Sequence, residues 1–184
     1  MKHFRVLAVD PGSTNFGFSL IEVNGKTPRI VACGMLDKQM LVHSLNEQTL
    51  SEAVSRFSNV FDKLLKATRA SCISAERYLI QRRGTTGESV NMMLGLMADR
   101  GLPMQIFMAA TWKARLKKHL QHELVDLYKI TYDGKRRLPD HAIDATMQGL
   151  FFCERELGVP LKWNMETLAR KIEQCYLGIW PRTK

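Results

Sequence analysis

Four consecutive apolar residues, Val6-Leu7-Ala8-Val9, run straight into Asp10-Pro11-Gly12, and this junction constrains the chain more than any other stretch. A run without polar alternation reads as a strand buried on both faces. Asp-Pro-Gly is a turn signal with a carboxylate at its first position. A charge at the end of a buried strand costs several kcal/mol unless something pairs with it. The usual partner is a metal ion, a phosphate-bound cation or a set of backbone donors; the plainer alternative is that Asp10 only caps the turn.

The next segments repeat the pattern. A second strand is expected over Asn15–Val23, a hairpin turn at Asn24-Gly25 and a third strand over Arg29–Met35. Ser44-Leu-Asn-Glu47 has capping-box form, and Leu50, Phe57, Phe61 and Leu64 recur at helical spacing, which predicts an amphipathic helix over Leu45–Ala67. Ser71–Ala75 then reads as a short strand that also ends in a carboxylate, Glu76. If strands one and four are parallel neighbours joined through that helix, their ends lie about 4.8 Å apart and Asp10 and Glu76 can share one ion. Ligands bind at that edge in open α/β sheets.

Charge narrows the partner. Lys and Arg total 27 against 18 Asp and Glu, a formal +9, and a surplus of this size favours a polyanion such as nucleic acid. The cations cluster: Arg82 and Arg83 follow Glu76, while Lys113, Arg115, Lys117 and Lys118 crowd a helix expected from Thr111. Arg136 and Arg137 sit in a loop before Pro139. Such clusters suit a phosphate backbone, the bland alternative being a solvated face. With 184 residues the chain is expected to form one domain. No apolar run approaches the roughly 20 residues that span a bilayer, and the first residues lack a signal-peptide pattern. Four scattered cysteines without a CxxC pair suit a reduced, intracellular protein with no zinc site.

Further along, Thr85-x-x-Glu88 opens a Met-rich helix, and Met104–Met108 reads as a fifth strand. Pro139 suits the first turn of a helix whose apolar residues fit packing on the sheet. Within it His141 and Asp144, spaced i, i+3, share one face, and Asp140 and Asp144 are also close. Like charges so placed need solvent or a cation. A last helix is expected over Met165–Tyr176.

Strand-Asp, strand-Glu and a late helix with His-x-x-Asp, in βββαβαβα order, resemble the RNase H-like superfamily, and within it the RuvC family of Holliday-junction resolvases. The segments VLAVDPGSTNFGF, ISAERY, GLMADRG and DHAIDA carry the resemblance, in order, across about Arg5–Leu150. It implies an α/β fold with a five-stranded mixed sheet, three antiparallel strands then two parallel, flanked by helices. The nuclease domain would cover residues 1–158, with a helical extension over 159–184 packed on it. It also implies a catalytic, metal-binding set of Asp10, Glu76, His141 and Asp144, with Asp140 a neighbour of open role, and two Mg²⁺ ions for which Mn²⁺ substitutes. Lys113 would contact phosphate. The activity implied is paired hydrolysis of a four-way DNA junction by a homodimer, leaving 5′-phosphate and 3′-hydroxyl ends, and the helix Gly87–Ala98 is a candidate dimer contact. The arginine-rich loop and the tail depart from the family pattern. Rival readings are a less selective branched, flap or single-strand nuclease and a non-catalytic junction-binding protein. A sugar-kinase or actin-like ATPase would need a second phosphate loop and a longer, two-lobed chain.

Overall fold

The computed structural model describes residues 4–38, 41, 50–77, 85–120 and 124–181. Strands β1 (Phe4–Asp10), β2 (Phe16–Asn24) and β3 (Thr27–Leu36) form an antiparallel meander. Helix α1 (Leu50–Thr68) then carries the chain to β4 (Cys72–Arg77), parallel to β1, and α2 (Thr85–Ala98) leads to β5 (Met104–Met108), parallel to β4. Next come α3 (Ala109–Leu120), a 3-10 helix Leu124–Lys129, and the two-residue strands β6 (Thr131–Tyr132) and β7 (Arg136–Arg137). Helix α4 (Asp140–Leu157), helix α5 (Met165–Cys175) and strand β8 (Tyr176–Trp180) complete the chain.

The sheet order is β5-β4-β1-β2-β3-β8. The architecture is the expected α/β fold around a mixed sheet, with six strands rather than five. The sixth comes from the tail, expected as a helical extension: Tyr176–Trp180 leaves α5 and pairs parallel with β3, Leu36 opposite Trp180. Its aromatic and β-branched residues suit a pleated, half-buried edge. Gly178, at φ 77°, breaks the regular pairing, so Tyr176 packs with the α4–α5 side of the sheet and Trp180 with the α1–α2 side.

Both faces of the sheet are covered. Leu7, Val9, Phe16, Ile73 and Ala75 pack under α1 and α2, while Val6, Ile21, Ile30 and Cys33 pack under α4 and α5. Val6–Val9 are accordingly all fully buried, which is why the run shows no alternation. On the α1 face Phe57 stacks on Phe61 and tilts against Phe16, with centroids 5.6 and 5.8 Å away. In α2, Met93 and Met97 are fully buried in this core. The capping box at Ser44–Glu47 lies outside the described residues. No described helix is long and apolar enough to cross a membrane, and all four cysteines are free.

Helix α4 rests directly on strand backbone. A Cβ on Gly149 would meet the Ala8 Cβ at 2.6 Å and the Ile21 side chain at 2.7 Å. One on Gly17 would meet the His141 carbonyl oxygen at 2.0 Å. Backbone at that range cannot yield without moving the helix, so Gly17→Ala is expected to lower stability by about 1–3 kcal/mol. Gly95 of α2 faces open space, and Gly95→Ala should hold or raise stability by up to ~1 kcal/mol. Denaturant midpoints of the two variants check the contrast, and equal effects would contradict it.

Candidate active site

Two strand registers assemble the site. In the parallel pairing Val9 stands opposite Ala75, so Asp10 and Glu76 follow them off the same sheet edge, about one strand spacing apart. Val9 and Ala75 face α1 and α2, and alternation turns the two acids to the other side. There Gly17, the cross-strand partner of Asp10, admits the first turn of α4, which brings His141 and Asp144. Asp10, Glu76, His141 and Asp144 line one cavity of about 240 Å³, walled by the turn Pro11–Asn15 and by Val90.

Every one of these side chains has a partner. His141 Nδ1 lies 2.6 Å from Asp10 Oδ2 and, since a carboxylate only accepts, carries the proton. Trp112 Nε1 donates to Glu76 Oε2 at 2.8 Å. Tyr128 Oη donates to Asp144 Oδ1 at 2.5 Å, and Lys113 Nζ donates to Asp144 Oδ2 at 3.0 Å. Burial, reinforced by the Asp10 charge, pushes the Glu76 carboxyl up to about 7 against the Trp112 bond. Burial also raises Asp144, although Tyr128 and Lys113 pull the other way. The Asp10 hydrogen bond lifts His141 above its ordinary range. Burial works against the Lys113 charge, but the Asp144 contact outweighs it and raises its pKa.

The remaining expected residues scatter. Lys113 turns into the acid cluster. Arg115 is held by Glu154 through two hydrogen bonds, at 3.1 and 2.8 Å. Lys117, Lys118 and Arg136 are exposed. Arg137 pairs with Asp140 at 3.1 Å, and Asp140 is exposed and does not line the cavity. Arg82 and Arg83 lie outside the described residues. Trp112 and Tyr128 are additions that sequence reasoning misses. A buried indole N–H needs an acceptor, so Trp112 carries a weak signal; Tyr128 sits in a short 3-10 stretch and carries none.

Among the described residues, no three His, Cys, Asp or Glu side chains form a group that could hold a metal ion as they stand. Their oxygens are taken up by other groups, Asp10 by His141, Glu76 by Trp112, and Asp144 by Tyr128 and Lys113. The donor chemistry nonetheless fits a hard divalent cation: carboxylate oxygens line one cavity, and burial with the neighbouring Asp10 charge pushes the Glu76 carboxyl up to about 7, a strain that a cation would relieve. Asp10, Glu76 and Asp144 are the residues that could hold one, by exchanging these partners.

No protein-family model matches the sequence, and no curated protein matches it. Structural likeness is clear. Thermus thermophilus RuvC superposes at 19% identity over 85% of this chain and 98% of that chain, with a TM-score of 0.60. T. thermophilus RuvC in complex with Holliday junction substrate gives 17% identity over 85% and 97% of the two chains, with a TM-score of 0.61. The yeast mitochondrial Holliday junction resolvase Ydc2 gives 16%, 93% and 81%, with a TM-score of 0.59. The fold is the RuvC-type, RNase H-like fold. At these identities the likeness is one of architecture.

The upward shifts set a pH dependence for the metal-free protein. Between the ordinary Glu value of 4.5 and about 7, folded Glu76 keeps a proton that the unfolded chain has released. Stability therefore falls as pH rises through that window. His141 adds the same sign from 6.5 upward, its contribution being lost as pH passes its raised folded value. Urea midpoints from pH 4.5 to 8 without divalent ions are expected to decline, and Glu76→Gln should flatten the part below 7. A Glu76-dependent rise over that range would contradict the shift.

Proposed function

We propose that this protein is a metal-dependent, structure-selective endonuclease that resolves four-way DNA junctions by paired phosphodiester hydrolysis. One observation carries the reading: acids from β1, β4 and α4 meet in a single cavity at the sheet edge, on a fold shared with the RuvC structures. Supporting it are the +9 charge, which suits a polyanion, and neighbours whose names give a complex with Holliday junction substrate and a Holliday junction resolvase.

In this reading Asp10, Glu76 and Asp144 hold two Mg²⁺ ions, with Mn²⁺ as a substitute. When bound, such ions activate water and stabilise the leaving oxygen. The protein's own groups do the rest. Tyr128 and Trp112 each fix one carboxylate oxygen of Asp144 and Glu76 and so orient the other. Asp10 holds the His141 ring by Nδ1, which leaves Nε2 to meet a phosphate oxygen or to hold a proton. Lys113, now paired with Asp144, would on leaving it meet the substrate phosphate. A twofold-symmetric junction needs two cuts, and a C2 homodimer with one site per subunit supplies them.

Asp10→Asn, Glu76→Gln and Asp144→Asn are each expected to abolish Mg²⁺-dependent cleavage of a four-way junction while leaving fold and junction binding intact. Tyr128→Phe should cost roughly 10–100-fold, as loss of an outer-shell partner does. Gel assays comparing a junction with duplex and flap DNA check both the site and the selectivity. Cleavage at the normal rate by any of the three acid variants would contradict the assignment, and equal rates on all substrates would contradict junction selectivity.

A further inference from the structure

A larger depression opens on the same sheet edge as the acids. β3 and β8 both run parallel to β1, so their C-terminal ends emerge beside those of β1 and β4. Between those ends, the β6–β7 hairpin and the start of α4 lies a cavity of about 820 Å³. Thr14 and Asn15 line both this cavity and the acidic one, so the two adjoin at that turn. From β1 to β3 is two strand spacings, roughly 10 Å.

The lining combines rings and cations. Tyr132 and Tyr176 stand 4.9 Å apart between centroids, tilted by 54°, and both are braced from behind by the core. Lys38 and Arg136 are exposed in the same wall and have no carboxylate partner among the described residues. The neighbouring cation Arg137, by contrast, is tied to Asp140. Asp37, the acid in the wall, is largely buried.

We infer that this groove receives an unstacked DNA strand as it leaves the acidic cavity, with a base against the Tyr132–Tyr176 pair and phosphates on Lys38 and Arg136. Aromatic platforms flanked by cations bind single strands without reading their sequence. An apolar or uncharged occupant would leave both cations unmatched. The inference rests on the nuclease reading and adds a site to it: the wall contributed by β8 is a strand-binding surface.

The test uses the full chain and a four-way junction carrying 2-aminopurine beside the crossover, with binding read without divalent ions. Lys38→Gln/Arg136→Gln is expected to lower the salt-dependence slope by about 1.4, two single-strand contacts' worth. Tyr132→Ala or Tyr176→Ala should weaken binding roughly 5- to 150-fold and relieve the quenching of 2-aminopurine. The cation variant guards against a tyrosine variant that fails to fold, since both cations are exposed. An unchanged slope in a folded double variant, while Asp144→Asn still blocks cleavage, overturns the groove alone. A wild-type protein that neither binds nor cuts any DNA overturns the nuclease reading and the groove with it.

Discussion

The parallel register of β1 and β4 is the constraint from which the site follows. Val9 opposite Ala75 puts Asp10 and Glu76 next to each other at the strand ends and on one face. A one-residue slip would send either acid to the α1–α2 side, because side chains alternate across a strand. The third acid depends on the other face of the same strands. Without a side chain at Gly17 and Gly149, α4 lies flat on β1 and β2, and its first two turns deliver His141 and Asp144 to the same opening. Core packing and the geometry of the candidate site are thus one arrangement.

The cluster is costly, and its partners show how the cost is met. Three carboxylates share one small cavity; a lysine, an imidazole N–H, a phenol and an indole each satisfy one of their oxygens. Even so, Glu76 is pushed to about 7. Partly buried charge pairs of this kind contribute little net stability, so the arrangement is a poor brace for the fold. Lys113 matters most here. Its ammonium takes Asp144 Oδ2, and its release is part of the proposed mechanism.

Much of this is legible in the amino-acid sequence alone, for definite reasons. The uninterrupted run Val6–Val9 announces a doubly covered strand, and its terminal Asp, echoed by Ser71–Glu76, announces a pair of acids at one edge. The His141–Asp144 spacing puts both on one helical turn. The rest is decided by tertiary contacts. Tyr176–Trp180 becomes a strand only because the edge of β3 is open to it. Tyr128 reaches Asp144 from a short 3-10 turn with no periodicity. Asp140 resembles a member of the cluster by its i, i+4 spacing, but it turns outward to Arg137. Lys113 lies in a run of cations, and nothing in that run marks it as the one that folds back into the acids.

The most direct test of the central claim is the anomalous difference map of a crystal soaked in Mn²⁺. Manganese is expected between Asp10, Glu76 and Asp144, held by their carboxylate oxygens, with Lys113 Nζ withdrawn from Asp144. A map without manganese in the cavity, with Lys113 still bound to Asp144, would contradict it.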